Sequence, residues 1–311
     1  MRRHHYTVAC LSGDGIGPEL MAEASRALAE VSHLHGFTLE QVHVPFGRDA
    51  VRRVGHQLPR ATRAACREAD AVLVAATREP ALEGVKAELD LTWRVTQVVQ
   101  AGNTPAIVSP LAPDAREQAV DRAFALAEER RAFVTSVGTE RAWARTVEAA
   151  AVAHEGVRLV HMDFGDAVLA LVGGSRVFDV VVSDEPYAEA LSQAAASAEG
   201  GTKAVASGQL AFAGPGIFGP THGSAPDIAG QGVANPSGML LATALMLGEG
   251  LGERNAARTL ASALAETLGN GVRTPDRVAT GVGATTREFV DVLLAALPGA
   301  RTDTEFAGVA P

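Results

Sequence analysis

Cysteine is nearly absent: the 311 residues contain two, Cys10 and Cys66. Two thiols supply neither a disulfide framework nor a metal-ligand cluster, so both read as small buried apolar residues of a protein in a reducing cytoplasm. Aromatic residues are scarce at 5%, which argues against a large aromatic binding surface. No run approaches the roughly 18 apolar residues of a membrane span. The basic start, Met1-Arg2-Arg3-His4-His5, leads into an apolar run that ends at Gly13-Asp14. That is a first strand and not a signal peptide. Basic residues are outnumbered, with 27 Lys and Arg against 36 Asp and Glu and a net charge of -9. An acidic surface repels phosphate backbones, so a nucleic-acid partner is not expected.

What the chain does have is 47% hydrophobic residues and 32 glycines, enough to fold one large α/β unit or two domains. Apolar runs at Thr7–Leu11, Ala71–Ala76, Ile107–Pro110, Val157–Asp163 and Phe178–Ser183 read as strands. Helical periodicity covers residues 18–32, 58–68, Asp114–Arg131, Glu140–His154, Ala188–Ala198, Pro236–Gly248, Arg254–Leu268 and Thr286–Leu297. Residues 199–235 are rich in glycine and read mostly as loop. Strands alternating with helices predict an α/β fold with a mainly parallel central sheet flanked by helices.

Two segments carry chemistry. Gly13-Asp14-Gly15-Ile16-Gly17-Pro18-Glu19 joins a strand to a helix; its glycines suit close backbone approach, and a helix N-terminus attracts anions. Its spacing is not that of a dinucleotide fingerprint, and a purely structural turn is an equal reading. The second runs from Pro220 to Pro236, HGSAPDIAGQGVANP after Pro220-Thr221. So long a loop in a compact domain is functional or disordered, and this one leads straight into an apolar helix.

With Phe178-Asp179-Val180-Val181-Val182-Ser183 and Arg273-Thr274-Pro275-Asp276, these segments resemble the isocitrate/isopropylmalate dehydrogenase family of β-decarboxylating dehydrogenases. The resemblance implies a large cofactor-binding domain from residues 1–100 and 221–311 and a smaller middle domain, 101–220, with the site between them. It implies NAD as cofactor, a small 2-hydroxy acid as substrate, and Mg²⁺ or Mn²⁺ chelating that acid. It assigns cofactor contacts to His222, Gly223, Ser224, Ala225, Asp227, Ile228 and Asn235, with Asp227 on the ribose hydroxyls. A carboxylate there favours NAD over NADP, because it repels a 2′-phosphate.

The catalytic positions depart from the family. Thr139 stands where the family has its proton-managing Lys, and Thr96 where it has a substrate-binding Arg. The segment with the family's Tyr and the arm after it have no counterpart between about Pro105 and Ala115. Of three metal-binding acids, Asp163 is kept, Glu189 replaces the second and neutral Gln193 the third. Asp163 and Glu189 are therefore the expected catalytic and metal-binding carboxylates, with weak or lost metal affinity. Asp166, Asp184 and Glu185 are substitute acids and His161 a substitute base; Lys86, Arg78, Arg94 and Arg141 are candidates for a new base or carboxylate anchor. Three readings follow: a divergent NAD-dependent dehydrogenase with an unusual substrate, a non-catalytic or regulatory NAD-binding homologue, or a related NAD-using reaction without decarboxylation. The expected partner is a second copy or a heteromeric subunit.

Overall fold

In the computed structural model, residues 5–76, 80–99, 104–174, 177–198, 201–278 and 282–298 are described. They form one ten-stranded sheet with helices on both faces. The strands are β1 (His5–Leu11), β2 (Thr38–His43), β3 (Ala71–Val74), β4 (Leu91–Val98), β5 (Ala106–Pro110), β6 (Phe133–Val137), β7 (Arg158–Met162), β8 (Val180–Ser183), β9 (Val205–Ala211) and β10 (Gly216–Pro220). Their spatial order is β2-β1-β3-β10-β9-β4-β5-β8-β6-β7. Pairing is parallel in both wings and antiparallel across β10-β9, β9-β4 and β4-β5. The expected mainly parallel α/β sheet is therefore found, with an antiparallel belt through its middle. The strands of the parallel wings, such as Ala71–Val74 and Val180–Ser183, are buried throughout, as a sheet covered on both faces requires.

The helices are α1 (Gly17–His35), α2 (Gly47–Val54), α3 (Arg60–Glu68), α4 (Pro80–Lys86), α5 (Arg116–Glu128), α6 (Arg141–Ala153), α7 (Phe164–Val172), α8 (Tyr187–Ala198), α9 (Ser237–Leu245), α10 (Arg254–Gly269) and α11 (Thr286–Ala295). Helix α9 is buried along its whole length and continues into a π-turn at Met246–Gly250. Cys10 and Cys66 are buried free thiols, and burial pushes each up to about 12, which keeps them protonated and unreactive.

The sequence reading of 199–235 as mostly loop is corrected here. Val205–Ala211 and Gly216–Pro220 form a central hairpin. Its glycines are packing devices: a Cβ on Gly208 would lie 2.7 Å from the Phe218 ring, and one on Gly219 would lie 2.6 Å from the Val74 carbonyl oxygen. Only residues beyond Pro220 form the extended loop. Strands β2, β4 and β6 and helices α2, α4 and α7 were also absent from that reading.

Candidate functional site

The loop that follows β10 is anchored by the first glycine turn. Ile16 N–H donates to the Ser224 carbonyl at 2.9 Å, and a Cβ on Gly15, at φ +59°, would stand 1.8 Å from that oxygen. Glu19, in the first turn of α1, accepts from the Gly232 N–H at 3.3 Å. Thr286 closes the other end, with its hydroxyl donating to the Ala234 carbonyl at 2.7 Å. Asp14 does not reach the loop; it accepts from the Arg48 N–H at the start of α2.

This loop walls a cavity of about 430 Å³ whose lining includes His222, Gly223, Ser224, Ala225, Ile228 and Asn235. Six of the seven expected cofactor residues therefore meet. Asp227 is exposed and not in the lining; its carbonyl accepts from the Gln231 amide at 2.9 Å. The His222 Nδ1 donates to the Gly223 carbonyl at 3.1 Å, while its buried Nε2 has no partner among the described residues. Burial, and then nearby Lys203, push the imidazole below its ordinary value, so it stays neutral at pH 7. Apolar Ile16, Ile228 and Val233 face the same space. A neutral ring with an unused nitrogen beside apolar walls fits a heteroaromatic base. Lys203 also lines this cavity, held by Asp276 at 3.1 Å.

A second cavity, of about 400 Å³, lies between β4, β9, α4 and α8, and Thr202 lines both cavities. It brings together Lys86, Arg94, Thr96, Glu189 and Gln193. The Arg94 Nη1 donates to Glu185 at 3.0 Å and to Glu189 at 3.5 Å. Glu185 also accepts from the Ser109 hydroxyl at 2.8 Å, and Gln193 donates to Glu189 at 3.0 Å. Lys86 is held by Glu83 at 2.8 Å.

Other expected residues lie elsewhere. Asp163 is exposed and caps α7, accepting from the Gly165 N–H at 2.8 Å; Asp166 is exposed in the same turn. Thr139 lines a third cavity of about 370 Å³ with Arg116, Glu140, Trp143 and Asp184. There Arg116 grips Asp184 at 2.7 Å and lies 5.6 Å from the Trp143 ring centroid, and burial raises the Asp184 carboxyl above its ordinary value. His161 is on edge strand β7, 3.7 Å from Glu148. Arg141 is exposed at the start of α6, and Arg78 lies outside the described residues. Among the described residues no three His, Cys, Asp or Glu side chains come together as a metal-binding group. Among the described residues Glu189 is the one carboxylate lining the cleft, its oxygens engaged by Gln193 and Arg94, so these donors do not fit Mg²⁺ or Mn²⁺.

Sequence reasoning missed Thr202, Ser207, Gln209 and Thr221, which complete the cleft. The alternation of Ser207 and Gln209 with apolar neighbours is a strand signal, masked by the surrounding glycines.

A family model described as isocitrate/isopropylmalate dehydrogenase matches residues 7–101 and 93–293. The chain belongs to the isocitrate/isopropylmalate dehydrogenase family. A 3-isopropylmalate dehydrogenase of Synechococcus sp. (strain CC9605) is 34% identical, covering 89% of this chain and 94% of the relative. That of Pseudoalteromonas translucida (strain TAC 125) is 32% identical, covering 95% and 99%. The Synechococcus alignment runs over 337 positions, more than the 311 residues here, so this chain skips segments that the relative has. The crystal structure of a β-decarboxylating dehydrogenase from Thermococcus kodakarensis superposes with a TM-score of 0.81 at 26% identity, over 94% of this chain and 96% of that one. Isocitrate dehydrogenase from Methylococcus capsulatus shares the fold, with a TM-score of 0.78 at 22% identity over 94% and 99%. Among the described residues no helix is long and apolar enough to cross a membrane.

Proposed function

We propose that this protein is an NAD-dependent oxidoreductase of a small 2-hydroxy acid other than 3-isopropylmalate or isocitrate. The adjoining cavities carry the reading: Thr202 lines both, and Thr221 on the cleft precedes His222 on the cofactor loop. A dinucleotide seated by its adenine end near His222 would reach towards the cleft, where NAD supplies the hydride acceptor. Residues His222, Gly223, Ser224, Ala225, Ile228 and Asn235 would hold the adenosine side, with Asp227 turning onto the ribose. Arg94 anchors the substrate carboxylate, and Glu189, the one carboxylate among the described cleft-lining residues, takes the hydroxyl proton. No step is assigned to a metal. Residues 1–100 and 221–311 form the cofactor half and 101–220 the middle half. The protein acts as a homodimer through the exposed apolar face of α7.

Loss of the Arg and Lys at Thr96 and Thr139 motivates the narrower claim. A hydroxyl cannot make the bidentate charge-assisted pair that an Arg makes with a carboxylate, and a missing general base typically costs about 10²–10⁴-fold in rate. Turnover of 3-isopropylmalate or isocitrate with NAD and Mn²⁺ near the median for enzymes, about 10 s⁻¹, would overturn it. Calorimetric titration with NAD⁺ and NADP⁺ tests the cofactor. NAD⁺ is expected to bind at least tenfold tighter; equal or tighter NADP⁺ binding would mean that Lys203, not Asp227, meets the ribose. The second reading, a regulatory NAD-binding homologue, rests on the same two threonines, and NAD binding without oxidation of any hydroxy acid would establish it.

A further inference from the structure

We infer that the cleft selects an acid bearing a single carboxylate and neutral hydroxyl groups, because its floor sets Arg94 and Gln209 beside Thr96 and Ser207 in register on two paired strands. This deepens the proposed function and rests on it. Arg94 pairs with Gln209 and Thr96 with Ser207 across the antiparallel β4–β9 ladder. All four line the cavity, as strand alternation requires of residues two apart. The floor thus presents one cation, one amide and two hydroxyls. Along α8, Ser192 and Gln193 continue the neutral polar wall.

Charge around the cleft points the same way. Lys86 and Arg94 are the cations among the described lining residues, and each is already matched: Lys86 by Glu83, Arg94 by Glu185 and Glu189. Two positive groups thus stand among three carboxylates. A first substrate carboxylate can compete for the Arg94 guanidinium. A second would have to take Lys86 from Glu83 and meets Glu189 across a partly desolvated space, where like charges repel far more than in water. Hydroxyls meet the opposite situation. Among the described residues the Ser207 hydroxyl and the Arg94 Nε are buried without a hydrogen-bond partner, and such groups in a native fold call for an explanation. A small rotation of Ser207 towards an incoming hydroxyl, and of Arg94 towards a carboxylate, would satisfy both.

The test compares acids differing only in whether the far end is CH₂OH or carboxylate: glycerate with tartronate, threonate and erythronate with the tartrates, gluconate with glucarate. Each is titrated calorimetrically into NADH-saturated protein, with and without Mn²⁺, so that no turnover confuses the heat. The expected result is that in at least one pair the monocarboxylate binds tenfold or more tighter. Thr96→Arg, which restores a second cation to the floor, is expected to move that ratio tenfold or more towards the dicarboxylate while leaving NADH affinity unchanged. Ser207→Ala should weaken the monocarboxylate alone. Tighter dicarboxylate binding in every pair that binds, or a ratio untouched by Thr96→Arg, overturns the selectivity but leaves a hydroxy-acid oxidoreductase standing. NADH binding with no acid bound in any pair overturns both and leaves the regulatory reading.

Discussion

Thr96 lies on β4 and lines the cleft floor beside Arg94. Asp163, which the resemblance assigned to the metal, instead caps α7 through the Gly165 N–H and does not line the cleft. The difference is physical: a strand residue inherits its direction from alternation, whereas a residue at a strand-to-helix junction points where the turn sends it. Gly15 joins both of the recognised segments, and it yields a sharp prediction. Gly15→Ala combines a disfavoured left-handed conformation, about 1–2 kcal/mol for a residue with a Cβ, with a Cβ 1.8 Å from the Ser224 oxygen. The turn and the cofactor loop cannot both stay in place, so NAD affinity should fall tenfold or more and the melting temperature should drop. Gly36, at φ +72° with nothing within 4 Å of its Cβ, is the control. Gly36→Ala should cost about 1 kcal/mol and leave NAD affinity alone. Equal effects of the two on NAD binding would show that the turn does not support the loop.

At the scale of elements, amphipathic and apolar runs gave most helices and the strands β1, β3, β5, β7 and β8, and missed the parallel strands β2 and β6. Of the antiparallel belt, β4, β9 and β10 were hidden because they mix glycine, serine, threonine and arginine to make room and to line the cleft. Function here overrides strand propensity. Contacts between elements were invisible too, and one gives a pH-dependent prediction. His154, at the end of α6, stacks on Phe124 of α5 with ring centroids 5.6 Å apart and reaches Glu128 at 2.7 Å and Asp121 at 3.1 Å. The hydrogen bond to Glu128, and with it Asp121, raises the imidazole above its ordinary 6.5. A raised folded value means that the protonated form stabilises the fold. That contribution is complete below 6.5 and is lost as pH climbs through the raised value. Melting temperatures of the native protein and of His154→Gln should therefore differ most on the acid side of 6.5 and converge as pH rises. A gap that widens with pH would assign His154 a packing role only.

At the scale of the whole molecule, α7 carries apolar side chains that the described residues leave uncovered. Helix α7, Phe-Gly-Asp-Ala-Val-Leu-Ala-Leu-Val, buries only Ala167 and Leu171, while Leu169 is 73% exposed, Val172 50% and nearby Val177 55%. Apolar exposure of this kind on a folded protein points to an interface. A second copy is the partner expected, since most soluble oligomers are closed two-fold assemblies in which one patch meets itself. In such an interface each substitution counts twice. Burying one Leu side chain is worth about 1.5–3 kcal/mol, so Leu169→Asp removes about 3–6 kcal/mol before the cost of placing a charge there. That is about 10²–10⁴-fold in dissociation constant, enough to turn a micromolar dimer into a monomer at ordinary protein concentrations. Light scattering on the native protein should give twice the chain mass of 32.1 kDa, and the variant should give that mass once with its circular dichroism unchanged. A native protein that is monomeric at tens of micromolar, or a Leu169→Asp variant that stays dimeric, would remove α7 as the interface. A hetero-subunit, also allowed by the regulatory reading, would then be the partner to seek.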